Sequence, residues 1–299
     1  IMEWEEASTH IPDQLIMLGL PPIEQLLYDT SEDEDEDEDE FEADYKICIP
    51  SYNRLELFGN TTYQYLMLNN IKPDNIYIFV STEKDYTEYK NVYKNVVYVT
   101  KEHDGIGAVR NYILNLWAMD KDRIVMMDDD IKFIKNIDGE VVRDLANYLP
   151  NFFYRLEEAN LYFGGICLCS NTFYMKPNYT STLKYISGAV QFYRVARERE
   201  IIGTPYRHFE DYYSCLRHFA RDGGILRCNS MAPITENYNP IGGICEEQGG
   251  LEERLKEAEK NADEICNEFK GWVTKYQKKK SSRGPACINL RLNHQAKKR

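Results

Sequence analysis

The sequence contains no long apolar run, which bears on where the protein resides. A membrane-spanning helix needs about 18 or more consecutive apolar residues, and the 299 residues contain no such run. The first ten residues, IMEWEEASTH, have neither a basic start nor an apolar core, so we expect no signal peptide. These absences disfavour a membrane-anchored enzyme. They predict an intracellular, soluble protein in the cytoplasm or nucleus.

Cysteine is scattered along the chain rather than grouped. The eight cysteines include no pair with the Cys-x-x-Cys spacing, and the closest two are Cys167 and Cys169. Many zinc sites depend on that spacing, so we predict no such site. Scattered cysteines are typical of reduced thiols in an intracellular protein.

Charge is distributed very unevenly. Residues 1–44 contain 17 acidic side chains and no Lys or Arg, whereas residues 275–299 contain nine Lys and Arg and no acidic side chain. The run SEDEDEDEDEFEAD, residues 31–44, repels itself and is typical of a solvated segment. We predict a largely flexible acidic arm at 1–44, a folded domain at 45–250, and a C-terminal helix with a basic tail at 251–299.

Apolar runs of strand length alternate with helical patterns in the first half of this domain. Strands are predicted at 45–50, 75–80, 96–99 and 123–127, and helices at 54–70, 82–90 and 105–120. This alternation predicts an α/β fold, Rossmann-like, in which helices flank a mostly parallel central sheet. Ligands bind at the carboxyl ends of the strands in such sheets, so residues 50–54 and 128–130 are candidate site segments.

The second half of the domain has a less regular pattern. Helices are predicted at 141–158 and 251–276, and residues 207–224 are predicted to be a loop feeding a helix that stops at Gly223–Gly224. Strands are predicted at 164–169 and 225–234, and a strand pair or a strand with a turn at 183–193.

Three consecutive aspartates, Asp128 to Asp130, follow the predicted strand RIVMM. Carboxylates that lose water repel one another and need a cationic partner. In an extended segment, residues two apart share a side, so Asp128 and Asp130 converge while Asp129 points away. Such oxygen ligands suit Mg²⁺ or Mn²⁺. An acidic surface turn uses the same residues, and the motif alone leaves both interpretations open.

Five short segments occur in an order that one enzyme family shares. They are ICIPSYNR, DGIGAVRN, MMDDD, YISGAVQFYR and FEDYYSCLR. Together they resemble the nucleotide-sugar glycosyltransferases of the GT-A fold, in the inverting, family-2-like branch, over about residues 45–227. The resemblance implies a metal-dependent, inverting transfer from a UDP-sugar, with Mn²⁺ or Mg²⁺ as the cofactor.

The same resemblance implies which residues bind the donor and the metal. The metal ligands are Asp128 and Asp130, and His294 is the candidate for a third ligand. The residues implied for the nucleotide sugar are Pro50, Tyr52, Asn53, Arg54, Arg110, Asp128, Asp129, Ser187 and Gly188. Arg110 follows two glycines near a helix start, where backbone N–H groups favour an anion. A surface arginine paired with an acid would fit the same position.

The catalytic base is also implied by the resemblance. An inverting transfer needs a group that takes the proton of the acceptor hydroxyl, and the segment FEDYYSCLR places Asp211 in that role. Glu210 stands beside it as a supporting acid. Acidic residues in the first turn of a helix are also a common stabilising arrangement, which is the alternative interpretation of this pair.

The basic tail bears on the acceptor. A polycation neutralises phosphates along DNA or RNA, although a solubilising or nuclear-targeting tail has a similar composition. A GT-A core with such a tail resembles the glycosyltransferases associated with TET/JBP-type base oxidation in phages, large DNA viruses and kinetoplastids. That resemblance implies DNA as the partner. The sugar, expected to be glucose, would go to the hydroxymethyl group of a modified pyrimidine.

Three other functions use parts of the same pattern. A cytoplasmic glycosyltransferase for a protein or glycan acceptor would keep the whole core. A nucleotidyltransferase has a similar fold, but the segment PSYNRLEL, residues 50–57, lacks its Gly-rich phosphate loop. A non-catalytic scaffold would bind partners through the acidic arm and the basic tail, and it would show no tight, metal-dependent nucleotide binding.

Overall fold

The domain is organised around a central sheet that helices cover on both faces. The computed structural model describes residues 45–100, 105–200, 202–236, 251–278 and 287–297. The acidic arm predicted at 1–44 therefore lies outside the described residues. The strands are β1 (Lys46–Pro50), β2 (Ile76–Val80), β3 (Val96–Tyr98), β4 (Arg123–Met127), β5 (Ile131–Asn136), β6 (Phe163–Ile166), β7 (Tyr179–Thr180), β8 (Val190–Arg194), β9 (Leu226–Cys228), β10 (Met231–Thr235), β11 (Val273–Lys278) and β12 (Cys287–Leu292).

The helices account for most of the remaining regular structure. The α-helices are α1 (Leu55–Phe58), α2 (Gln64–Leu68), α3 (Glu83–Lys90), α4 (Ile106–Tyr112), α5 (Leu145–Glu158), α6 (Glu210–Asp222) and α7 (Leu251–Glu268). A π-helical turn, Gly59–Tyr63, joins α1 to α2, and a second, Ile113–Trp117, extends α4. Short 3-10 helices lie at Pro73–Asn75 and Thr172–Tyr174. Within the described residues, none of the helices combines the length and the apolar character that crossing a membrane requires.

The central sheet has eight strands in the order β3-β2-β1-β4-β8-β6-β9-β7. Strands β7 and β8 pair antiparallel with their neighbours, and the other six run in one common direction. The predicted fold class, a mostly parallel α/β sheet flanked by helices, is confirmed. Two smaller antiparallel sheets, β5 with β10 and β11 with β12, accompany it.

Side-chain alternation along the inner strands explains why both faces of the sheet are covered. Ile47 and Ile49 of β1 enter one apolar core, and Cys48 between them enters the other. Helices α1, α2, α3 and α5 cover the first face, while α4, α6 and α7 cover the second. Strands that are apolar on both sides are typical of parallel sheets with helices on both faces.

Several predicted elements of the second half are wrong in extent. The helix predicted from residue 141 begins at Leu145, and within 183–193 only the part from Val190 is strand. The strand predicted at 225–234 is two strands, β9 and β10, which belong to different sheets. Strand β5 was not predicted, because its pairing partner β10 lies about a hundred residues further along the chain.

The C-terminal region departs most from the sequence prediction. The helix predicted at 251–276 ends at Glu268, since Gly271 adopts a left-handed conformation with φ of 85° and breaks it. Residues 273–278 then form β11, which pairs with β12. Leu290 and Leu292 of β12 are buried in the core beneath α7. Part of the predicted basic tail is therefore a hairpin packed on the domain.

Candidate active site

The loop after β1 and the three aspartates after β4 meet at one edge of the sheet. Strands β1 and β4 are parallel neighbours, with Cys48 paired to Met126, so their carboxyl ends lie side by side. The hydroxyl of Ser51 donates to Asp129 Oδ2 at 2.6 Å, and Arg54 Nη1 donates to Asp129 Oδ1 at 3.1 Å. This is the position at which ligands bind in open α/β sheets.

Asp129 is the buried member of the aspartate triplet. Only 8% of its side chain is exposed, and both oxygens accept hydrogen bonds from the β1 loop. Burial raises its pKa, while the Ser51 hydroxyl and Arg54 oppose that rise. The family resemblance assigns Asp129 to the nucleotide sugar. In the structure its carboxylate joins the β1 and β4 loops through these two bonds, and the nucleotide-sugar role stays a prediction.

Asp128 and Asp130 are the more accessible carboxylates, with 34% and 20% of their side chains exposed. Asp130 Oδ2 lies 3.8 Å from Arg54 Nη1. Burial raises the pKa of Asp130 to about 7, and the charges of Asp128 and Asp129 add to that effect. The surplus of negative charge fits a divalent cation, because Mg²⁺ and related ions are commonly held by one or two carboxylates together with substrate phosphates.

Arg110 is buried and binds three groups at once. Its Nη2 donates to Asp128 Oδ1 at 2.7 Å and to the carbonyl oxygen of Gly188 at 3.0 Å, and its Nη1 donates to Glu210 Oε1 at 3.0 Å. Only 7% of the side chain is exposed. The guanidinium therefore ties the aspartate loop to the start of α6. The role of Arg110 in the diphosphate region stays a prediction.

The position of the Arg110 guanidinium requires a glycine at residue 188. A Cβ at residue 188 would lie 2.3 Å from Arg110 Nη1, a separation that no side chain tolerates. The segment that contains Ser187 and Gly188 also lies against the aspartates, since the N–H of Asp128 donates to the carbonyl oxygen of Ala189 at 3.0 Å. Ser187 itself is buried.

Glu210 and Asp211 begin α6, as the helix predicted from the sequence placed them. Burial raises the pKa of Glu210 to about 7, with a further rise from Asp211 and an opposing effect from Arg110. Burial also raises the pKa of Asp211. The carboxylate accepts a hydrogen bond from the hydroxyl of Tyr185, and this bond opposes that rise. A carboxyl whose pKa is raised toward neutrality is a stronger base at physiological pH.

The predicted nucleotide loop lies at the end of β1. Pro50 is the last residue of that strand and pairs with Phe79 of β2. The N–H of Asn53 donates to Asp85 Oδ2 at 3.1 Å, and Asn53 has a left-handed φ of 51°. Tyr52 is half-buried. These residues therefore share the edge of the sheet with Arg54 and the aspartates.

His294 does not join the two accessible aspartates. Its Nδ1 donates to the carbonyl oxygen of Leu183 at 2.9 Å. Among the residues that the structure describes, no group of three or more His, Cys, Asp and Glu side chains is arranged to hold a metal ion. The three-ligand set of Asp128, Asp130 and His294 is thus not assembled. The described residues fit a site with two carboxylates.

Three contacts of the site were not found from the sequence. Thr61 and Thr62, on the π-helical turn after α1, donate to the carbonyl oxygens of Asp129 and Asp128 at 3.0 and 2.8 Å. Tyr185 reaches Asp211 from the segment before β8, and its ring stacks on Tyr212 at 4.2 Å. No local pattern marks Thr61 and Thr62, because only the tertiary fold brings them to the aspartates. Tyr185 opens the segment YISGAVQFYR, but that pattern does not reveal its contact with Asp211.

The segment that contains the aspartates matches the model of a known protein family. Residues 45–145 match the family model described as TAGT, the TET-Associated Glycosyltransferase. The match covers 101 of the 299 residues and includes the β1 loop, Arg110 and the aspartate triplet. The glycosyltransferase resemblance drawn from the sequence is confirmed over this segment. No curated protein matches the chain.

Solved structures of glycosyltransferases are similar to this chain at low sequence identity. Staphylococcus aureus TarS 1-349 in complex with UDP-GlcNAc is 16% identical, with a TM-score of 0.48 over 75% of this chain and 66% of that one. The glucosyl-3-phosphoglycerate synthase of Mycobacterium tuberculosis with Mg²⁺ and UDP is 13% identical, with a TM-score of 0.44 over 85% of this chain and 89% of that one.

A third similar structure is the mannosyltransferase PcManGT of Pyrobaculum calidifontis with GDP-Man and Mn²⁺. It is 14% identical, with a TM-score of 0.41 over 72% of this chain and 64% of that one. The chain spans less than two thirds of the length of the TarS and PcManGT chains that it matches.

Proposed function

We propose that this chain is a metal-dependent, inverting glycosyltransferase. It moves a sugar, which we infer to be glucose, from a UDP-sugar to the hydroxymethyl group of a modified pyrimidine in DNA. The observation that carries the proposal is the Arg110 network. One buried guanidinium binds Asp128 on the donor side, Glu210 beside the proposed base, and the Gly188 carbonyl between them. A donor, a base and an acceptor must be held in one geometry for transfer, and such a network holds it.

On the donor side, Asp128 and Asp130 would hold Mn²⁺ or Mg²⁺. A bound divalent ion supplies Lewis-acid stabilisation of the diphosphate charge that grows as the glycosidic bond breaks. The contacts of Ser51 and Arg54 with the carboxylate of Asp129 hold the β1 and β4 loops together. We assign Pro50, Tyr52 and Asn53 to the uracil and ribose, because this loop lies beside the carboxylates.

On the acceptor side, Asp211 would act as the base. It takes the proton from the acceptor hydroxyl, whose oxygen forms a bond to the anomeric carbon on the face opposite the diphosphate. The bond from that carbon to the phosphate oxygen breaks, and UDP leaves with the electron pair. One displacement of this kind inverts the anomeric centre. Each carboxylate oxygen has two lone pairs, so the bonds from Tyr185 and the Tyr212 N–H leave capacity for the proton.

DNA is favoured as the acceptor by two features. The matched family is described as TET-associated, and the last 25 residues contain nine basic and no acidic side chains. A hydroxymethyl group in the major groove is reached best when its base leaves the stack. Enzymes that act on bases commonly flip them out at a cost of about a few kcal/mol.

The decisive experiment combines all components. The protein is incubated with Mn²⁺, a panel of UDP-sugars, and duplex DNA that contains 5-hydroxymethyluracil or 5-hydroxymethylcytosine, and the nucleosides are then weighed by mass spectrometry. A hexose-sized gain on one modified base would support donor, acceptor and reaction together. Release of UDP without any gain on DNA would keep the glycosyltransferase and point to a protein or glycan acceptor.

A further inference from the structure

The loop after β6 leaves the sheet at the same edge and level as the aspartates. Gln191 of β8 pairs with both Met126 of β4 and Gly165 of β6. The residues that follow Ile166 therefore emerge level with Asp128, two strands away, which is about 10 Å across a sheet. The loop faces the acceptor side of the site, because the segment that contains Tyr185 and Gly188 lies between β6 and α6.

This loop displays two aromatic rings to solvent. Phe173 and Tyr174 are 84% and 66% exposed, and Phe173 is the most exposed of the large hydrophobic side chains that the structure describes. The two rings pack edge to face at 5.0 Å. The loop is held in place, since Asn171 Oδ1 accepts from the Phe173 N–H at 3.1 Å and the Lys176 N–H donates to the Asn229 carbonyl at 3.0 Å. An ordered exposed aromatic pair indicates a binding surface.

Three neighbouring cations, of which Lys176 is two residues from Tyr174, lack carboxylate partners among the described residues. Within the described part of the chain, no carboxylate oxygen lies within 4.0 Å of the charged nitrogens of Lys176, Lys184 or Arg227, whereas Arg123 pairs with Glu157 at 2.9 Å. Burial lowers the pKa of Lys184, and the nearby charge of Arg227 lowers it further. Arg227 Nη1 is fixed on the carbonyl oxygen of Tyr185 at 3.0 Å. This local surplus of positive charge favours the binding of an anion.

We propose that Phe173, Tyr174, Lys176, Lys184 and Arg227 form the docking surface for the DNA strand that carries the acceptor base. The three cations contact phosphates, and the aromatic pair stacks on an unpaired base. This combination of basic side chains with stacking rings is the common mode of binding to single-stranded nucleic acid. The surface is connected to the proposed base through the chain, because Tyr185 follows Lys184 and donates its hydroxyl to Asp211. The inference rests on the proposed function, since it names where that function's acceptor docks.

The test measures the binding of fluorescently labelled single-stranded DNA, and of a duplex with one mismatched pair, by anisotropy at several salt concentrations. Phe173→Ala should weaken binding about tenfold, as expected for the removal of one base–aromatic stack. Lys176→Ala and Lys184→Ala should each reduce the slope of log affinity against log salt by about 1. Tyr154→Ala and Lys260→Ala are matched controls, because both side chains are exposed on other helices. They should leave affinity and slope unchanged.

The proposal is overturned if wild-type protein does not bind DNA, or if the three surface variants behave like the two controls. Donor binding, followed as the thermal shift with UDP and Mn²⁺, is measured on the same preparations and should be equal in all six proteins. If DNA binding depends on Phe173 and the donor does not bind, the docking surface stands and the glycosyltransferase proposal fails. If the donor binds and the surface variants bind DNA normally, the glycosyltransferase proposal stands and the docking surface fails.

Discussion

The guanidinium of Arg110 lies 2.7 Å from the carboxylate of Asp128, and its other terminal nitrogen lies 3.0 Å from Glu210. Asp128 and Glu210, which are 82 residues apart in sequence, are thereby joined through one buried side chain. This relationship makes the position of the proposed base depend on the loop that bears the proposed metal ligands.

Arg110→Ala should lower turnover by about 10²-fold, because small misplacements of reacting groups cost that much. It should also destabilise the fold by about 3–5 kcal/mol, since it leaves buried charges unpaired. Arg110→Lys should not restore turnover, because an ammonium lacks the planar fork that spans two carboxylates.

Arg123→Ala is the control: its partly exposed pair with Glu157 should contribute no more than about 1 kcal/mol. Steady-state kinetics and urea denaturation report the two effects. Equal effects of the two alanine variants would contradict the role given to Arg110.

Asp130→Asn should change the stability of the metal-free protein and of the protein with Mn²⁺ and UDP in opposite directions, relative to wild type. Removing one of three crowded carboxylates relieves repulsion, so the variant should be at least as stable as wild type in EDTA. With Mn²⁺ and UDP present, wild type should gain stability and the variant should not, because it lacks one metal ligand. Differential scanning fluorimetry measures both. Asp138→Asn, in the exposed turn after β5, should behave like wild type, and a full gain of stability by Asp130→Asn would remove the metal assignment.

Asp211→Asn should separate binding from chemistry. The change keeps the shape of the side chain and removes the proton acceptor, so turnover should fall by about 10²-fold or more while the affinity for UDP stays the same. Calorimetric titration of UDP and a product assay measure the two quantities. Turnover close to wild type would move the base to another residue, and Glu210 would be examined next.

Tyr185→Phe should change the pH dependence of turnover. The Tyr185 hydroxyl stabilises the ionised form of Asp211 and opposes the rise of its pKa. Without that hydrogen bond the pKa of Asp211 rises further, and a base is active only when it is deprotonated. The acid limb of the kcat/KM profile should therefore move to higher pH, with turnover recovered at alkaline pH. A uniform loss at every pH would indicate a structural effect of Tyr185 instead.

The exposed face of the C-terminal hairpin should add to DNA affinity. Tyr276 and Lys278 of β11 point outward together with Arg291 of β12, whose guanidinium lies 5.0 Å from the Tyr276 ring. The double variant Lys278→Ala and Arg291→Ala should reduce the salt slope of DNA binding by about 1 for each phosphate that is no longer neutralised. Lys94→Ala, paired with Asp74 beside β2, serves as the control. An unchanged slope would leave these cations a solubilising role only.

The parallel half of the fold could be predicted from sequence because its information is local. Strands such as Lys46–Pro50 and Ile76–Val80 are short apolar runs with clear boundaries, and each is followed by a helical pattern. The aspartate triplet could be found for the same reason, since its three residues are adjacent. Strand β5 and the C-terminal hairpin could not be found in this way, because strands in small antiparallel sheets are defined by partners that are distant in sequence or by a single glycine such as Gly271.

The candidate site was predictable from the sequence where its residues fall in recognisable segments. Asp128, Asp130, Glu210 and Asp211 stand out as clustered charges. Thr62 is a common residue type in unremarkable surroundings, and the contacts of Thr62 and Tyr185 are created by the tertiary fold. The orientation of Arg110 was unpredictable for a related reason. A charged side chain turns toward whichever opposite charges the fold buries beside it, and two such carboxylates lie within reach.

The close approach of Gly188 to Arg110 limits how this enzyme can be redesigned. Residue 188 lies between the proposed donor and acceptor positions, where an engineer would first try larger side chains to change the substrates accepted. Any side chain there would displace the guanidinium and with it both carboxylates that it binds. Variation in substrate preference must therefore come from other positions, such as Ala189 and the loop of Phe173, while residue 188 stays fixed as glycine.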